Sequence, residues 1–155
     1  MKAVLTGHTH GLGEALAATL RARGIPVLGL ARGRSPQPDD DGFTQIALDL
    51  ADAAALARWL TGDALSRFVA AADRVLLINN AGTLGPVAPA GRQGATAIAQ
   101  AVALNVAAPL ALTDALVATA AHASERRIVH ISIGAAHKHY AVWSIYCATK
   151  AAREQ

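Results

Sequence analysis

The chain contains very few of the residues that mark several protein classes. Cysteine occurs once in 155 residues, as Cys147, which excludes an internal disulfide framework and predicts a reducing compartment, the cytoplasm. Aromatic residues make up 4% and charged residues 16%, against 53% hydrophobic residues. This composition excludes a disordered chain. It predicts a core of alanine, leucine, valine and isoleucine rather than of large rings.

Basic stripes and long uninterrupted apolar segments are missing as well. The net charge is only +3, and the arginines from Arg21 to Arg92 are scattered without alternating aromatic residues. We therefore predict no nucleic-acid partner. The apolar stretch 95–112 is interrupted by Gln100, Asn105 and Pro109, so no membrane partner is predicted either.

Signals for secretion and for metal binding are not found. Met1 is followed almost at once by a strand-like run, and we expect no signal peptide. The segments His8-Thr9-His10 and His137-Lys138-His139 have no cysteine or carboxylate partner at a recognisable metal spacing. No metal is therefore predicted.

What the sequence does contain is a regular alternation of short apolar runs with longer helical patterns. Strands are predicted at 3–6, 27–31, 44–48, 74–78 and 127–133. Helices are predicted at 12–23, across 52–72 with a break, over about 94–123 with a bend at Pro109, and from about 140–144 onwards. Strands separated by such helices lie parallel, with helices on both faces. We predict one α/β domain over residues 1–155, a Rossmann-type doubly wound parallel sheet of about five strands.

A glycine-rich turn joins the first predicted strand to the first helix, with Gly7, Gly11 and Gly13 spaced G-x-x-x-G-x-G. Glycines let the backbone approach a pyrophosphate, and the helix N-terminus supplies free N–H groups. At this junction the spacing predicts a nucleotide-binding turn, to which His8 and Leu12 also belong. His8 is either a specific contact to the phosphates or simply a polar residue of an exposed loop.

The second predicted strand ends without an acidic residue. A carboxylate at that point would hold the ribose of NAD, but the sequence there is Arg32-Gly33-Arg34. An arginine can pair with a 2′-phosphate. The sequence therefore favours NADP(H) over NAD(H), with Arg32 as a cofactor contact.

Tyr146 and Lys150 form a Tyr-x-x-x-Lys pair near the end of the chain. Residues four apart share one face of a helix. A free tyrosine is a poor base at neutral pH, and a nearby ammonium stabilises its phenolate form. Taken alone, the pair is better explained as an ordinary contact on a helix surface, and only the other motifs favour a catalytic role.

Taken in order, these features resemble the short-chain dehydrogenase/reductase family along the whole sequence. The matching residues are the glycine turn, Asp49-Leu50 after the third strand, Asn79-Asn80-Ala81-Gly82 after the fourth, Asn105 in the long helix, and the pair Tyr146 and Lys150. The stretch 143–147, with 134–136 before it, is further similar to the benzil-reductase and sepiapterin-reductase-like members.

The resemblance implies hydride transfer between a nicotinamide cofactor and a small-molecule carbonyl or alcohol, with Tyr146 donating the proton in reduction. It implies that Lys150 also holds the nicotinamide ribose and that Asn105 is structural and positions a water in a proton relay. It places Asp49 and Leu50 against the adenine. Further cofactor contacts are implied at Asn80, Ala81 and Gly82. A homo-oligomer through the long fourth helix and the Tyr146 helix is also implied.

Two departures from the family pattern leave a second hypothesis open. The family has a carbonyl-polarising serine thirteen residues before the tyrosine, where this chain has Ile133, and Ser132 lies fourteen before. Neighbouring strand residues point to opposite faces, so Ser132 can serve as a catalytic residue only if a bulge turns it inward. The sequence also stops five residues after Lys150, so the C-terminal strands of the family fold are expected to be missing. The alternative is a catalytically incompetent nucleotide-binding or interaction module.

The aromatic residues before the catalytic pair leave the substrate undefined. Tyr140 and Trp143 either line the substrate pocket or anchor their loop to the core. The sequence does not distinguish between these roles, and it does not name the substrate.

Overall fold

The computed structural model describes residues 1–154, and it confirms the parallel α/β sheet. Five strands lie in the order β3-β2-β1-β4-β5, and every neighbouring pair is parallel. The order reverses between β1 and β4, and open α/β sheets bind ligands at the carboxyl ends of the strands at such a reversal. The strands are β1 Lys2–Thr6, β2 Val27–Ala31, β3 Phe43–Ala47, β4 Arg74–Asn79 and β5 Glu125–His130.

Within residues 1–154, six α-helices connect the strands and cover the sheet. They are α1 Gly11–Ala22, α2 Ala53–Leu60, α3 Ala64–Val69, α4 Ala95–Val102, α5 Ala108–Thr119 and α6 Ser144–Ala151. The expected break within 52–72 is the short connection between α2 and α3. A 3₁₀ turn, Gly134–Ala136, precedes α6.

The sheet separates two apolar cores because successive strand residues point to opposite faces. Val4 of β1 packs with Leu112 of α5 in the larger core, which also includes residues of α2 and α3. Leu5, next along β1, packs with Ala17 and Leu20 of α1 in the other core. Helices therefore cover both faces, as a doubly wound sheet requires.

The long helix differs from the sequence prediction at its centre. A π-helical turn, Ala103–Ala107, joins α4 to α5, and Pro109 lies in the first turn of α5. Proline has no N–H to donate and is tolerated at a helix start, so the irregularity comes before Pro109 rather than at it. The turn carries Asn105, which is fully buried. On length and hydropathy alone the run Ala95–Thr119 could cross a membrane, a test that buried core helices also pass.

Candidate nucleotide-binding and catalytic site

Thr6 and Asn80 hold the glycine-rich turn at the point where the strand order reverses. The Asn80 side-chain amide donates to the carbonyl oxygens of Thr6 at 3.0 Å and Gly7 at 3.1 Å. The Thr6 hydroxyl accepts from the backbone N–H groups of Asn80 at 3.0 Å and Ala81 at 2.9 Å. The ends of β1 and β4 are thereby joined into one rigid base.

The turn is so tight that two of its glycines leave no room for a side chain. A Cβ atom on Gly13 would lie 1.9 Å from the carbonyl oxygen of Gly7. Gly7 has φ +70°, and its Cβ would lie 3.0 Å from Cα of Ala81. The first turn of α1 has backbone N–H groups without helical partners, and the side chain of its N-cap residue, His10, does not cap them. This arrangement suits a pyrophosphate.

A cleft of about 530 Å³ opens beside this turn. Its volume lies in the range of about 300–1,000 Å³ that is usual for small-molecule sites. The structure brings ten of the predicted cofactor residues together in its lining: Gly7, Gly11, Leu12, Gly13, Arg32, Asp49, Leu50, Asn80, Ala81 and Gly82.

The two arginines after β2 have different surroundings. Arg34 donates to the carboxylate of Asp39 and, at 3.2 Å, to the carbonyl oxygen of Gln45. Arg32 lines the cleft and is exposed, and it forms no ion pair within residues 1–154. Arg32 is therefore the cation that remains available at this end of the cleft.

His8 is the one residue of the turn that the structure turns away from the cleft, which corrects its assignment as a cofactor contact. Its side chain is only 1% exposed. The ring meets Phe43 edge-on, and Nε2 lies 2.9 Å from Oε1 of Gln45. A pocket for the imidazole exists because β2 has a glycine beside it, Gly29, and a local sequence pattern does not show this.

Lys150 and Asn105 meet behind Gly82, at the far end of the cleft. A Cβ atom on Gly82 would lie 3.6 Å from Lys150 Nζ and 3.3 Å from Asn105 Oδ1. Lys150 Nζ donates to the carbonyl oxygen of Ile131 at 3.0 Å and lies 5.5 Å from the ring centroid of Tyr146. Tyr146 and Lys150 thus adjoin the cleft through Gly82, although neither of them lines it.

Asn105 ties the loop after β4 to α6. Its Oδ1 accepts from the N–H of Thr83 at 2.8 Å, and its Nδ2 donates to the carbonyl oxygen of Thr83 at 2.8 Å. Nδ2 also donates to the hydroxyl of Thr149 at 3.0 Å. Two of its three hydrogen bonds therefore hold the loop at Thr83, and the third links that loop to Thr149 of α6, next to Lys150.

Arg153 is a residue of this region that the sequence analysis missed. Its guanidinium donates to the carbonyl oxygen of Asn79 at 2.7 Å and lies 3.3 Å from Nδ1 of His130. Burial lowers the pKa of the Lys150 ammonium, and the positive charge of Arg153 lowers it further. The only available signal was its position three residues after Lys150, which is too weak to assign a role.

The structure places Ser132 on the surface, which corrects the prediction of an inward-facing serine. The strand β5 ends at His130, three residues earlier than predicted, so Ser132 lies outside it. Its hydroxyl is exposed and bonds to the carboxylate of Glu154, which also pairs with His137 at 3.0 Å. A role for Ser132 in polarising a carbonyl is not supported by this geometry.

The ring of Tyr146 belongs to a cluster of three aromatic rings, with those of Trp143 and Tyr140. The ring centroids of Tyr140 and Trp143 are 5.3 Å apart, and those of Trp143 and Tyr146 are 5.8 Å apart. Val142, between them, has φ +62°, which is unusual for a β-branched residue. Tyr140 is 45% exposed, so the cluster presents an aromatic surface next to the Tyr146 ring.

We expect the buried histidines to make the protein less stable in acid. Burial lowers the pKa of His8 and of His130 below the ordinary value of 6.5, and Arg153 adds to the shift at His130. Below pH 6.5 the unfolded chain therefore binds more protons than the folded chain. The contribution of these histidines to the free energy of unfolding is fully present above pH 6.5 and is lost as the pH falls from 6.5 through the folded pKa values.

Urea unfolding at about pH 7 and about pH 5 measures this effect. His8→Gln, which cannot titrate, should lose less stability on acidification than the wild type. Identical losses in the two proteins would contradict the assignment to His8.

A glycine-rich turn at the reversal of the strand order, with a Tyr–Lys pair close to it, places the chain in the class of Rossmann-type nucleotide-binding folds. The family model of the short chain dehydrogenases matches residues 1–155, and the chain belongs to this short-chain dehydrogenase/reductase family. Benzil reductase ((S)-benzoin forming) of Bacillus cereus is 29% identical over 160 residues, which cover 96% of this chain and 62% of that enzyme. Sepiapterin reductase of Mus musculus is 33% identical over 169 residues, with 97% and 64% covered.

Solved structures of the family match the fold closely. A short-chain dehydrogenase/reductase of Burkholderia vietnamiensis is 51% identical with a TM-score of 0.94, and the match covers 97% of this chain and 71% of that one. A metagenomic short-chain oxidoreductase in complex with NADP is 27% identical with a TM-score of 0.80, covering 99% and 70%. The chain thus spans 62% of the length of the Bacillus cereus relative and somewhat more of these structures.

Proposed function

We propose that residues 1–155 form one nucleotide-binding domain that reduces a small-molecule carbonyl with NADPH. The observation that carries this proposal is the continuous path from Arg32, along the glycine turn, to Gly82, with Lys150 next to Gly82 and the Tyr146 ring next to Lys150. A dinucleotide bound along this path would have its pyrophosphate at the uncapped start of α1. Its nicotinamide end would lie beside the Tyr–Lys pair.

The residues in the cleft fit such a cofactor in charge and in space. Gly7 and Gly13 have no side chain and no room for one, so the backbone of the turn is open to the approach of a phosphate at these two positions. Arg32 offers a free guanidinium to a 2′-phosphate at the end where an acid would favour NAD. NADP in the metagenomic relative supports the same cofactor class. When bound, the cofactor supplies the hydride.

Tyr146 is proposed as the proton donor and Lys150 as the group that tunes it. Lys150 Nζ is anchored by the carbonyl oxygen of Ile131 and lies over the Tyr146 ring. A cation in this place favours the phenolate that remains once the proton has left. Asn105 keeps the helix of both residues in register with the loop after β4. The retained pair favours an enzyme over a module that only binds nucleotides.

The aromatic surface of Tyr140 and Trp143 supports a carbonyl compound with an aromatic group as substrate. Aromatic rings stack on or against one another at centroid separations of about 4.5–7 Å. The Trp143 ring meets Tyr146, and the Tyr140 ring meets Trp143. Two of the relatives are named benzil reductase ((S)-benzoin forming) and sepiapterin reductase, and these names support the same substrate class. We also propose a cytoplasmic protein that pairs with a second copy through α4, α5 and α6.

The test is turnover of NADPH and of NADH with aromatic diketones and aldehydes, in wild type and Arg32→Ala. We expect the wild type to prefer NADPH. The variant should lose about ten- to 150-fold of that preference, since hydrogen bonds to charged groups contribute about 1.5–3 kcal/mol. Arg34→Ala is the matched control: Arg34 does not line the cleft and only ties its loop to Asp39 and Gln45, so we expect a smaller loss of the preference than in Arg32→Ala.

Each part of the proposal has its own contradicting result. A wild type that consumes neither nucleotide contradicts the reductase. A wild type that uses both nucleotides equally contradicts only the preference for NADP(H). Equal effects of Arg32→Ala and Arg34→Ala would contradict the assignment of Arg32.

A further inference from the structure

A buried hydrogen-bonded network joins His8 of the glycine turn to the loop between β2 and β3. Gln45 of β3 stands at its centre, and its Oε1 lies 2.9 Å from His8 Nε2. The same oxygen accepts from the backbone N–H of Ser35 at 2.8 Å and from its hydroxyl at 3.1 Å. Nε2 of Gln45 donates to the carbonyl oxygen of Gln37 at 2.6 Å. His8, Ser35 and Gln45 are all buried.

The backbone partners of Gln45 determine the tautomer of His8. A backbone N–H can only donate and a carbonyl oxygen can only accept, so the amide oxygen of Gln45 must be the atom that faces Ser35. His8 Nε2 lies against that oxygen, and it must therefore carry a proton and donate. In the neutral ring Nδ1 is then a bare acceptor. It is buried without a hydrogen-bond partner within the described residues.

Packing alone does not account for a histidine at this position. The pocket is closed by Gly29, whose Cβ would lie 2.6 Å from His8 Nδ1, and by Phe43, 5.5 Å from the imidazole between ring centroids. A buried acceptor without a partner destabilises the folded state, and an apolar ring would avoid that loss. What a histidine supplies here and an apolar ring would not is the Nε2–H group, which donates to Oε1 of Gln45.

We propose that His8 is a positioning residue for cofactor discrimination, an inference that rests on the proposed NADP(H) function. Through Gln45 it holds the loop 32–42 at a set distance from the glycine turn, and so places Arg32 relative to the pyrophosphate. The loop has further ties to the same residue: Arg34 donates to the Gln45 carbonyl oxygen at 3.2 Å, and Asp39 accepts from the Gln45 N–H at 3.2 Å. Arg32 has no ion pair of its own among the residues described, so its position depends on this anchored loop.

The test compares two variants of His8 by titration with NADPH and NADH. His8→Phe keeps a ring and removes the donor, while His8→Gln keeps an N–H donor at the corresponding distance along the side chain. We expect His8→Phe to weaken NADPH binding relative to NADH binding by about two- to tenfold, the range that corresponds to one neutral hydrogen bond. His8→Gln should keep the wild-type ratio of the two Kd values.

The ratio separates positioning from simple support of the fold. Equal weakening for NADPH and NADH in His8→Phe, or a shifted ratio in His8→Gln as well, would overturn the proposal. A wild type that binds neither nucleotide would overturn the proposed function itself. Binding by the wild type therefore separates a failure of the proposed function from a failure of the role proposed for His8.

A spectroscopic measurement on the wild type keeps the proposal testable if His8→Phe does not fold. Nitrogen-15 NMR of the imidazole reports which ring nitrogen carries the proton. A neutral His8 protonated on Nε2 supports the network. Protonation on Nδ1 instead would overturn it, because Gln45 Oε1 would then face a nitrogen that cannot donate.

Discussion

Replacing Tyr146 by phenylalanine is expected to lower carbonyl reduction by about 10²- to 10⁴-fold, the usual contribution of a positioned general acid. The substitution removes one oxygen atom and leaves the ring, so the edge-on contact with Trp143 and the contact with Lys150 Nζ remain. NADPH affinity and thermal stability should therefore stay close to wild type. The measurement is kcat for a diketone, together with the Kd for NADPH.

Tyr140→Phe is the matched control for this experiment. Tyr140 stands in the same aromatic cluster and loses the same hydroxyl group, but its ring meets Trp143, whereas Lys150 Nζ lies over the ring of Tyr146. We expect this variant to change substrate KM at most, with kcat unchanged. If Tyr146→Phe retained full kcat, or if both variants lost it equally, Tyr146 would not be the proton donor.

The sheet and the glycine turn of the cleft could be predicted because short segments, recognisable from their own residues, form them. A run such as Val27–Ala31, apolar throughout and fully buried in the structure, is compatible with the centre of a parallel sheet. The parallel order then brings the carboxyl ends of β1 and β4 together without further information. Asn80, about seventy positions after Gly13 in the sequence, is assigned to the same site by the resemblance to the family, and the structure places it against the glycine turn.

The sequence does not predict the side-chain directions of His8 and Ser132, because these directions depend on residues far away in the sequence. His8 lies in a turn that binds nucleotides in this family, but its ring follows the space left by Gly29 and the acceptor on Gln45. The apolar pattern places Ser132 in the fifth strand, but β5 ends at His130, and the Ser132 hydroxyl donates to the carboxylate of Glu154. Neither partner is visible from the local sequence, so periodicity and spacing could not assign these directions.

Gly13→Ala is expected to damage nucleotide binding more than any other single-methyl change in the glycine turn. The added Cβ would lie 1.9 Å from the carbonyl oxygen of Gly7 and 2.6 Å from the Asn80 amide nitrogen. Both are parts of the rigid base that joins β1 to β4, so the turn must move as a whole. Overpacking of this kind destabilises by about 1–3 kcal/mol, which corresponds to about five- to 150-fold in affinity if the strain is released in the free protein by distorting the phosphate site.

Gly33→Ala is the control for Gly13→Ala, because it adds the same methyl group at the edge of the same cleft. A Cβ on Gly33 would meet no atom within 4 Å, and NADPH affinity should stay within about twofold of wild type. Titration with NADPH and thermal unfolding with and without the nucleotide measure both variants. Should Gly13→Ala bind NADPH as tightly as Gly33→Ala, the closed turn would not be the phosphate site, and the cleft would have to hold its ligand by the Arg32 end alone.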